Sequence, residues 1–400
     1  MFRQKHPLIK IKKTFLLLFA LLGLVSVASL YFLLNQPKAP NNIRDLFETP
    51  VVTPPKETGC FDAATLNYLE YKSIPQKDRK NNKFGLYIYA ENKDFMELAQ
   101  NLVNSNGGDW GYVLIPYNVK DRDYSKWGGV FERLYSKHLI PIIQLWDVDP
   151  DDYEDQTEEA AEFLNSFVWP IRQRYVSVYN EPNDSRFWYG RADPEEYAQI
   201  LDFTIDTFKE ENSNFFMLNG ALNVSATPGG GYYDAFDFMR RMDAKVSGIF
   251  SKLDGWASHS YPQPDFSGNP HATGRNSIRA YEVELAYLKQ ALGVEKELPV
   301  FITETGWAHA EGEVYNRAFL PVSQVAENIK TAYERYWLPD KRVRAVTPFT
   351  VWYDAPYDHF SWVNHDKVPY LHYEEVKSME KVAGTPESLV PGETSIKSCY

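Results

Sequence analysis

The chain has 400 residues, a formal net charge of −12 and an apolar fraction of 44%. That much apolar material can form a large core, so the composition excludes a disordered or fibrous chain. The charge is unevenly distributed: residues 1–50 hold seven basic and two acidic side chains, and the remaining residues carry a formal charge of −17. A body this acidic repels phosphate backbones, so we expect no nucleic-acid partner.

The N-terminal segment is typical of a membrane anchor. Five cations lie within residues 1–13, and residues 15–34 contain no charge. As a helix this run is about 30 Å long, which is enough to cross a bilayer core. We therefore predict a cytoplasmic flank over 1–13 and a transmembrane signal anchor over 14–35, with the rest of this single-pass protein outside the cytoplasm. A cleaved signal peptide is the alternative, because Ser26-Val27-Ala28 resembles a cleavage site.

A linker and a short segment follow the predicted anchor. Residues 36–57 contain five prolines and no periodic apolar pattern, which is typical of a semi-extended linker. Residues 58–82 then lead into the folded domain. The two cysteines, Cys60 and Cys399, lie near opposite ends of the body. In an exported protein they could form one disulfide, and two unpaired thiols are the alternative.

Residues 83–375 alternate short apolar runs with longer amphipathic segments. Near-continuous apolar strands separated by helices predict an α/β fold with a parallel sheet covered by helices. Eight such units match the size of a (β/α)8 TIM barrel, which we predict for 83–375, followed by a tail over 376–400. A doubly wound open sheet is the competitor, but no glycine-rich phosphate loop follows the first run. The predicted strands are Phe84–Tyr89, Tyr112–Tyr117, Leu139–Trp146, Tyr175–Tyr179, Phe215–Leu222, Gly255–Tyr261, Leu298–Thr303 and Val343–Trp352.

Two of the intervening helices have readable ends. One begins at Asp193-Pro194-Glu195-Glu196, which supplies an N-cap acid, a proline at the first helical position and a glutamate three residues after the cap. The other runs from about Ser277 to Leu292 and stops at Gly293.

Two glutamates follow predicted strands directly. Glu181 follows the fourth strand and Glu304 ends the seventh. Functional residues of a barrel lie where its parallel strands end, so we expect both carboxylates in one mouth, although either one alone would more often be a solvated loop residue. Two carboxyl groups about 5–5.5 Å apart can cleave a glycosidic bond with retention: one protonates the leaving oxygen and the other attacks the anomeric carbon. We expect the attacking group to be kept ionised and the other to have a raised pKa.

Around these two glutamates the sequence resembles the large clan of retaining (β/α)8 glycoside hydrolases that includes cellulase-type and xylosidase-type enzymes. The resemblance covers residues 83–365 and depends on an Asn-Glu pair ending strand four and a Glu ending strand seven. It implies that Glu181 is the acid/base, that Glu304 is the nucleophile and that Asn180 bonds the sugar 2-hydroxyl.

Strands six and eight add to the resemblance. Ser258-His259-Ser260-Tyr261 is similar to the clan's His-x-Tyr, which implies that the Tyr261 hydroxyl contacts the nucleophile. Val351-Trp352 matches the tryptophan that floors the central sugar subsite. The sequence departs from the clan at Pro116-Tyr117 and Gln144-Leu145-Trp146, where the clan often has an arginine and a histidine. His259 and Tyr261 could instead be ordinary buried residues.

Four tryptophans lie near predicted strand ends. Sugars present C–H faces that pack on aromatic rings, so this grouping favours a saccharide cleft, and packing in the outer layer of the barrel is the alternative. We take Trp146, Trp307 and Trp352 as substrate-binding candidates; the fourth is Trp188.

Residues 147–155 hold six acidic side chains. The spacing is partly similar to a calcium loop, but the glycine required at the sixth place is Asp152 and Pro150 interrupts the run. We favour a solvated acidic loop, and we predict neither a metal nor a cofactor.

The predicted function is a membrane-anchored, extracytoplasmic glycoside hydrolase that cleaves a β-linked oligo- or polysaccharide with retention. A carbohydrate-binding barrel without turnover and a transglycosylase that uses the same residues are the alternatives. A metal-dependent barrel enzyme is disfavoured, because only His259 among the few histidines clearly lies at a strand end.

Overall fold

The computed structural model describes residues 60–61, 71–89, 93–389 and 397–398. The predicted anchor over 14–35, its basic flank over 1–13, the linker over 36–57 and Cys399 lie outside these residues. Among the helices that the structure describes, none is both long and apolar enough to cross a bilayer.

Eight parallel strands form the centre of the molecule. They make two hydrogen-bonded sheets, β1 to β5 and β6 to β8, each in chain order. Single parallel bridges join Leu218 to Gly255 and Phe84 to Val346, so the strands close into a ring. The prediction of an α/β fold with parallel strands is thus confirmed. The strands are β1 Gly85–Tyr87, β2 Gly111–Asn118, β3 Leu139–Trp146, β4 Arg174–Val178, β5 Phe215–Asn219, β6 Trp256–His259, β7 Val300–Glu304 and β8 Val343–Val346.

Helices separate successive strands and cover the ring. A π-helical turn over Tyr333–Trp337 continues the helix that precedes the last strand. The helices are α1 Lys93–Val103, α2 Tyr124–Ser136, α3 Tyr153–Asn165, α4 Pro194–Glu211, α5 Ala235–Lys245, α6 Ile249–Lys252, α7 Ala280–Ala291, α8 Val322–Ala332 and α9 Leu371–Ser378.

The predicted helix start at α4 is confirmed. The Asp193 side chain caps the helix by accepting a hydrogen bond from the Glu196 backbone N–H, and Pro194 is the first helical residue. Helix α7 starts at Ala280, later than predicted. It ends before Gly293, whose φ of +68° is a left-handed conformation that glycine adopts without strain.

Side chains that alternate along each strand form two apolar clusters, an inner one inside the ring of strands and an outer one between the strands and the helices. In β2, Tyr112 and Leu114 belong to the inner cluster, whereas Val113 and Ile115 belong to the outer cluster under the helices. Successive side chains of a strand point to opposite faces, so both faces of each strand must be apolar when helices cover the ring. This explains the continuous apolar runs in the sequence.

The segments before and after the barrel pack across the face where the strands begin. Backbone hydrogen bonds link Lys72 N to Ser388 O at 2.7 Å, and Arg172 N to Glu387 O at 2.8 Å. Glu387 is buried there and pairs with Arg79 and Arg172. The opposite face, where the strands end, carries the loops and both predicted glutamates.

Candidate active site

Glu181 lies in a left-handed turn directly after β4. Its φ is +38° and that of Tyr179 is +71°. Such a backbone costs a non-glycine residue on the order of 1–3 kcal/mol, and surrounding bonds must maintain it. Here the Glu181 N–H donates to Ala221 O at 3.0 Å, and Asp184 N–H donates to Glu181 O at 2.8 Å. The turn places the buried Glu181 side chain at the mouth of the ring.

Glu304 is the last residue of β7. Its side chain is largely buried, and its Oε2 accepts a hydrogen bond from the Tyr261 hydroxyl at 3.1 Å. Tyr261 comes from the loop that follows β6, so neighbouring strand ends supply the carboxylate and its donor.

His259 lies between the two glutamates. Its Nδ1 is 2.8 Å from Glu181 Oε1, and its Nε2 is 3.7 Å from Glu304 Oε1. The side chain has no exposed surface, and no residue that the structure describes makes a hydrogen bond to Nε2. One buried imidazole therefore faces two carboxylates that are 123 positions apart in the chain, and both share one pocket.

Burial and mutual charge shift the proton affinities of this group. Burial raises the pKa of Glu304 to about 7, with a further rise from the Glu181 charge, while His259 and the Tyr261 hydroxyl act in the opposite direction. Burial disfavours the imidazolium of His259, but the Glu304 and Glu181 carboxylates outweigh it, so the His259 pKa is raised. Burial raises the Tyr261 pKa well above its usual range.

The raised pKa of Glu304 differs from our expectation. We expected Glu304, as the attacking carboxylate, to be kept ionised by donors around it. Among the described residues Tyr261 is the one hydrogen-bond donor to Glu304, and with the His259 charge it does not offset burial and the negative charge of Glu181.

A chain of amide contacts orients Asn180. Its Oδ1 accepts from Gln144 Nε2 at 3.0 Å, and Gln144 Oε1 accepts from Trp146 Nε1 at 2.8 Å. These two hydrogen bonds fix the orientation of the Asn180 amide. Gln144 was noted in the sequence only as a departure from the clan.

Glu284 is a buried carboxylate behind the site that sequence reasoning missed. It lies on α7, and its Oε2 accepts from Ser258 Oγ at 2.5 Å. Ser258 Oγ is 2.9 Å from Ser260 Oγ, so one network holds the residues on either side of His259. The β6–β7 register shifts between Ser258 and His259. Glu284 therefore supports the irregularity that places the imidazole between the glutamates.

The predicted tryptophans occupy different environments. Trp146 is partly exposed and lies edge-on to Phe187 in the loop after β4. Trp307 is only 2% exposed, and its Nε1 donates to Gly268 O at 2.8 Å, so its ring belongs to the outer core. Trp188 is equally buried.

The role predicted for Trp352 stays a prediction. Strand β8 ends at Val346, six residues before the predicted end, although Thr347 N–H still donates to Ile302 O at 2.9 Å. The Trp352 indole packs against Phe95 of α1 and against His365. The ring that follows β8 on the inner side is Phe349, which lies 5.0 Å from Tyr87 at the end of β1.

The acidic run over 147–155 forms the loop after β3 and the first turn of α3. Among the described residues, no three histidine, cysteine or acidic side chains form a group that could hold a metal ion. A cavity of about 640 Å³, lined largely by acidic side chains of α3 and α4, lies in the outer helical layer and not at the glutamates.

The fold is similar to that of solved glycoside hydrolases, a likeness that the sequence predicted. It is similar to a monomeric β-xylosidase from Caulobacter crescentus, with a TM-score of 0.54 at 14% identity, over 75% of this chain and 68% of that one. A glucosidase from Croceicoccus marinus gives a TM-score of 0.54 at 11% identity, over 77% and 69% of the two chains. At these identities the likeness shows the fold. No protein-family model and no curated protein matches the sequence.

Proposed function

We propose that this protein is a retaining glycoside hydrolase that cleaves a β-linked glycan outside the cytoplasm. One observation carries the proposal: the carboxylates at the ends of β4 and β7 face the same buried imidazole, and Tyr261 donates to Glu304. The fold, which the xylosidase and the glucosidase share, supports it.

In the proposed reaction Glu304 attacks the anomeric carbon while Glu181 gives its proton to the leaving oxygen. A covalent glycosyl-enzyme results. Glu181 then takes a proton from water, which attacks the same carbon and releases the sugar with its original configuration. Interception by a sugar hydroxyl instead of water would give transglycosylation.

The contacts of the two carboxylates suit these roles. His259 occupies Oε1 of Glu181 and leaves Oε2 for the leaving oxygen. Tyr261 holds Oε2 of Glu304. After it has given its proton to the leaving oxygen, Glu181 can act as the general base toward the attacking water.

Variants of Glu304 test the mechanism. Glu304→Gln is expected to abolish hydrolysis of aryl β-glycosides, and azide is expected to rescue Glu304→Gly with formation of the inverted glycosyl azide. Glu313→Gln, an exposed change in the loop after the same strand, is the matched control and should keep activity. Hydrolysis that survives in Glu304→Gln would remove Glu304 from the nucleophile role.

We also propose that residues 14–35 anchor the enzyme in the cell membrane as a single pass. The charge-free apolar run and the preceding cations support this. Extraction of the full-length protein by detergent but not by high salt or carbonate would be expected, and release by carbonate would contradict it.

A further inference from the structure

A cluster of aromatic rings runs outward from the site on the Glu304 side. We call Tyr87, Tyr89, Phe349, Tyr353 and Tyr357 the rim cluster. Neighbouring ring centroids are 5.0 Å apart for Tyr87 and Phe349, 5.7 Å for Phe349 and Tyr353, and 5.6 Å for Tyr353 and Tyr357. Tyr89 joins Tyr87 and Tyr353, each at 5.7 Å. The rings therefore form one continuous surface.

The burial of the rim cluster decreases from the site toward solvent. Tyr87 is 3% exposed, Tyr89, Phe349 and Tyr353 are partly exposed, and Tyr357 is 41% exposed. Burial and then neighbouring charges, including that of Glu304, raise the pKa values of Tyr87 and Tyr89. Phe349 N–H donates to Thr305 O at 3.0 Å, and Thr305 directly follows Glu304 in the chain, so the inner end of the cluster lies beside the strand end that carries Glu304. The outer end, at Tyr357, is accessible from water.

A separate group of side chains lies on the Glu181 side. The Glu181 charge contributes to the raised pKa of Tyr232, after burial and Asp184. Arg186 lies over the rings of both Tyr232 and Phe187, and Phe187 contacts Trp146. These side chains come from the end of β3 and from the loops after β4 and β5, whereas the rim cluster comes from the end of β1 and the loop after β8.

The roles proposed for the two carboxylates indicate which part of the substrate lies next to each group of side chains. The nucleophile approaches the anomeric carbon of the sugar that is retained, and the acid approaches the oxygen of the group that leaves. A surface next to Glu304 therefore lies on the side of the retained sugar. The loops after β2 and β3, residues 119–123 and 147–152, are much shorter than those after β4 to β8, so among the described loops these two extend least over the mouth.

We propose that the rim cluster is a glycan-binding platform that holds sugar units on the non-reducing side of the cleaved bond, so that the substrate is an oligosaccharide or polysaccharide chain. This rests on the proposed function for its direction. Partly exposed rings with hydroxyls at their edges match sugar units, which offer C–H faces for packing and hydroxyls for hydrogen bonding.

Kinetic measurements on substrates that share one leaving group and differ in glycone length test the platform. The full-length protein in detergent is assayed with p-nitrophenyl β-glycosides whose glycone lengthens from one sugar to four, in the glucose and xylose series. We expect kcat/KM of the wild type to rise with glycone length. Tyr357→Ala and Tyr353→Ala should reduce this increase of kcat/KM with glycone length by at least ten-fold. For the single-sugar glycoside, their kcat/KM should stay within about two-fold of the wild-type value.

Two further variants serve as controls: one keeps the ring at position 357, and the other removes a ring outside the rim cluster. Tyr357→Phe keeps the ring and should retain most of the rise. Tyr287→Ala removes a similarly part-buried tyrosine that packs on Phe236 in the outer layer, and it should behave as wild type. An equal loss for short and long glycones in Tyr357→Ala and Tyr353→Ala would overturn the platform while leaving the hydrolase intact.

Binding without turnover gives an independent outcome. Glu304→Gln protein is run in native gels that contain β-1,3-glucan, β-1,4-glucan, xylan, galactan or mannan. At least one polymer should retard it, and adding Tyr353→Ala and Tyr357→Ala should remove the retardation. If no polymer retards Glu304→Gln, or if the tyrosine variants are retarded equally, the platform is refuted. Tyrosine-dependent retardation in a wild-type protein that cleaves nothing would refute the hydrolase and keep the platform.

Discussion

Replacing Glu284 by glutamine should make the protein more stable relative to wild type as the pH rises. Glu284 is fully buried, and burial raises its pKa from 4.5 to about 7, although the hydrogen bond from Ser258 and the His259 charge act against the shift. Between these two values the folded state binds more protons than the unfolded state. The stability contribution of Glu284 is therefore present at low pH and is lost as pH rises through 7.

The size of the effect follows from the shift. One pKa unit corresponds to about 1.36 kcal/mol, so ionising Glu284 in the folded protein costs about 3 kcal/mol. Glutamine has the same shape and can still accept from Ser258, but it cannot ionise. The difference in unfolding free energy between Glu284→Gln and wild type should therefore move in favour of the variant by about 3 kcal/mol between pH 5 and pH 8.

Urea unfolding at several pH values, followed by tryptophan fluorescence, measures this difference. Glu295→Gln removes one exposed carboxylate just after α7 and should follow the wild-type pH dependence. Parallel stability curves for Glu284→Gln and wild type from pH 5 to pH 8 would refute the buried, proton-binding role assigned to Glu284.

The remaining predictions concern the site and one helix. Hydrolysis needs ionised Glu304, so kcat/KM should rise with pH through about 7. Tyr261→Phe should move this rising part of the pH profile to higher pH, because a hydrogen-bond donor to Glu304 is lost. A rising part at the same pH as in the wild type would contradict this. His259→Ala should lower kcat at least ten-fold and also raise the pKa of this rising part, whereas a loss of activity with an unchanged pH profile would indicate a purely structural role. Asp193→Ala should lower the unfolding free energy by about 1 kcal/mol, with Asp193→Asn close to wild type. An Asp193→Ala variant as stable as wild type would show that the cap contributes nothing, and equal losses in both variants would show that the charge of Asp193, and not its hydrogen bond, stabilises the helix.

The main elements were predictable because their causes are local. Continuous apolar runs indicate strands covered on both faces, and the acid–proline start of α4 satisfies its own N–H groups. The ends of strands are set less locally. Apolar character continues to Trp352, but the regular strand β8 ends at Val346, and nothing in the composition marks that point.

The site was predictable in part. Strand order predicts that Glu181 and Glu304 meet, since parallel strands end at one face. The sequence does not reveal which rings remain exposed: Trp307 is buried, whereas the rim cluster is built largely from tyrosines that drew no attention. Glu284 has the sequence context of an ordinary amphipathic helix, and only the rotation of α7 toward β6 turns it inward.

The chain enters and leaves the barrel across the face where the strands begin, through segments 71–82 and 379–389. A tag, solid support or fused domain joined beyond either segment is therefore attached to the end of the barrel away from the two glutamates. Within the described residues such a handle starts on the side opposite the mouth, so protein immobilised through it can be tested for capture of insoluble glycans.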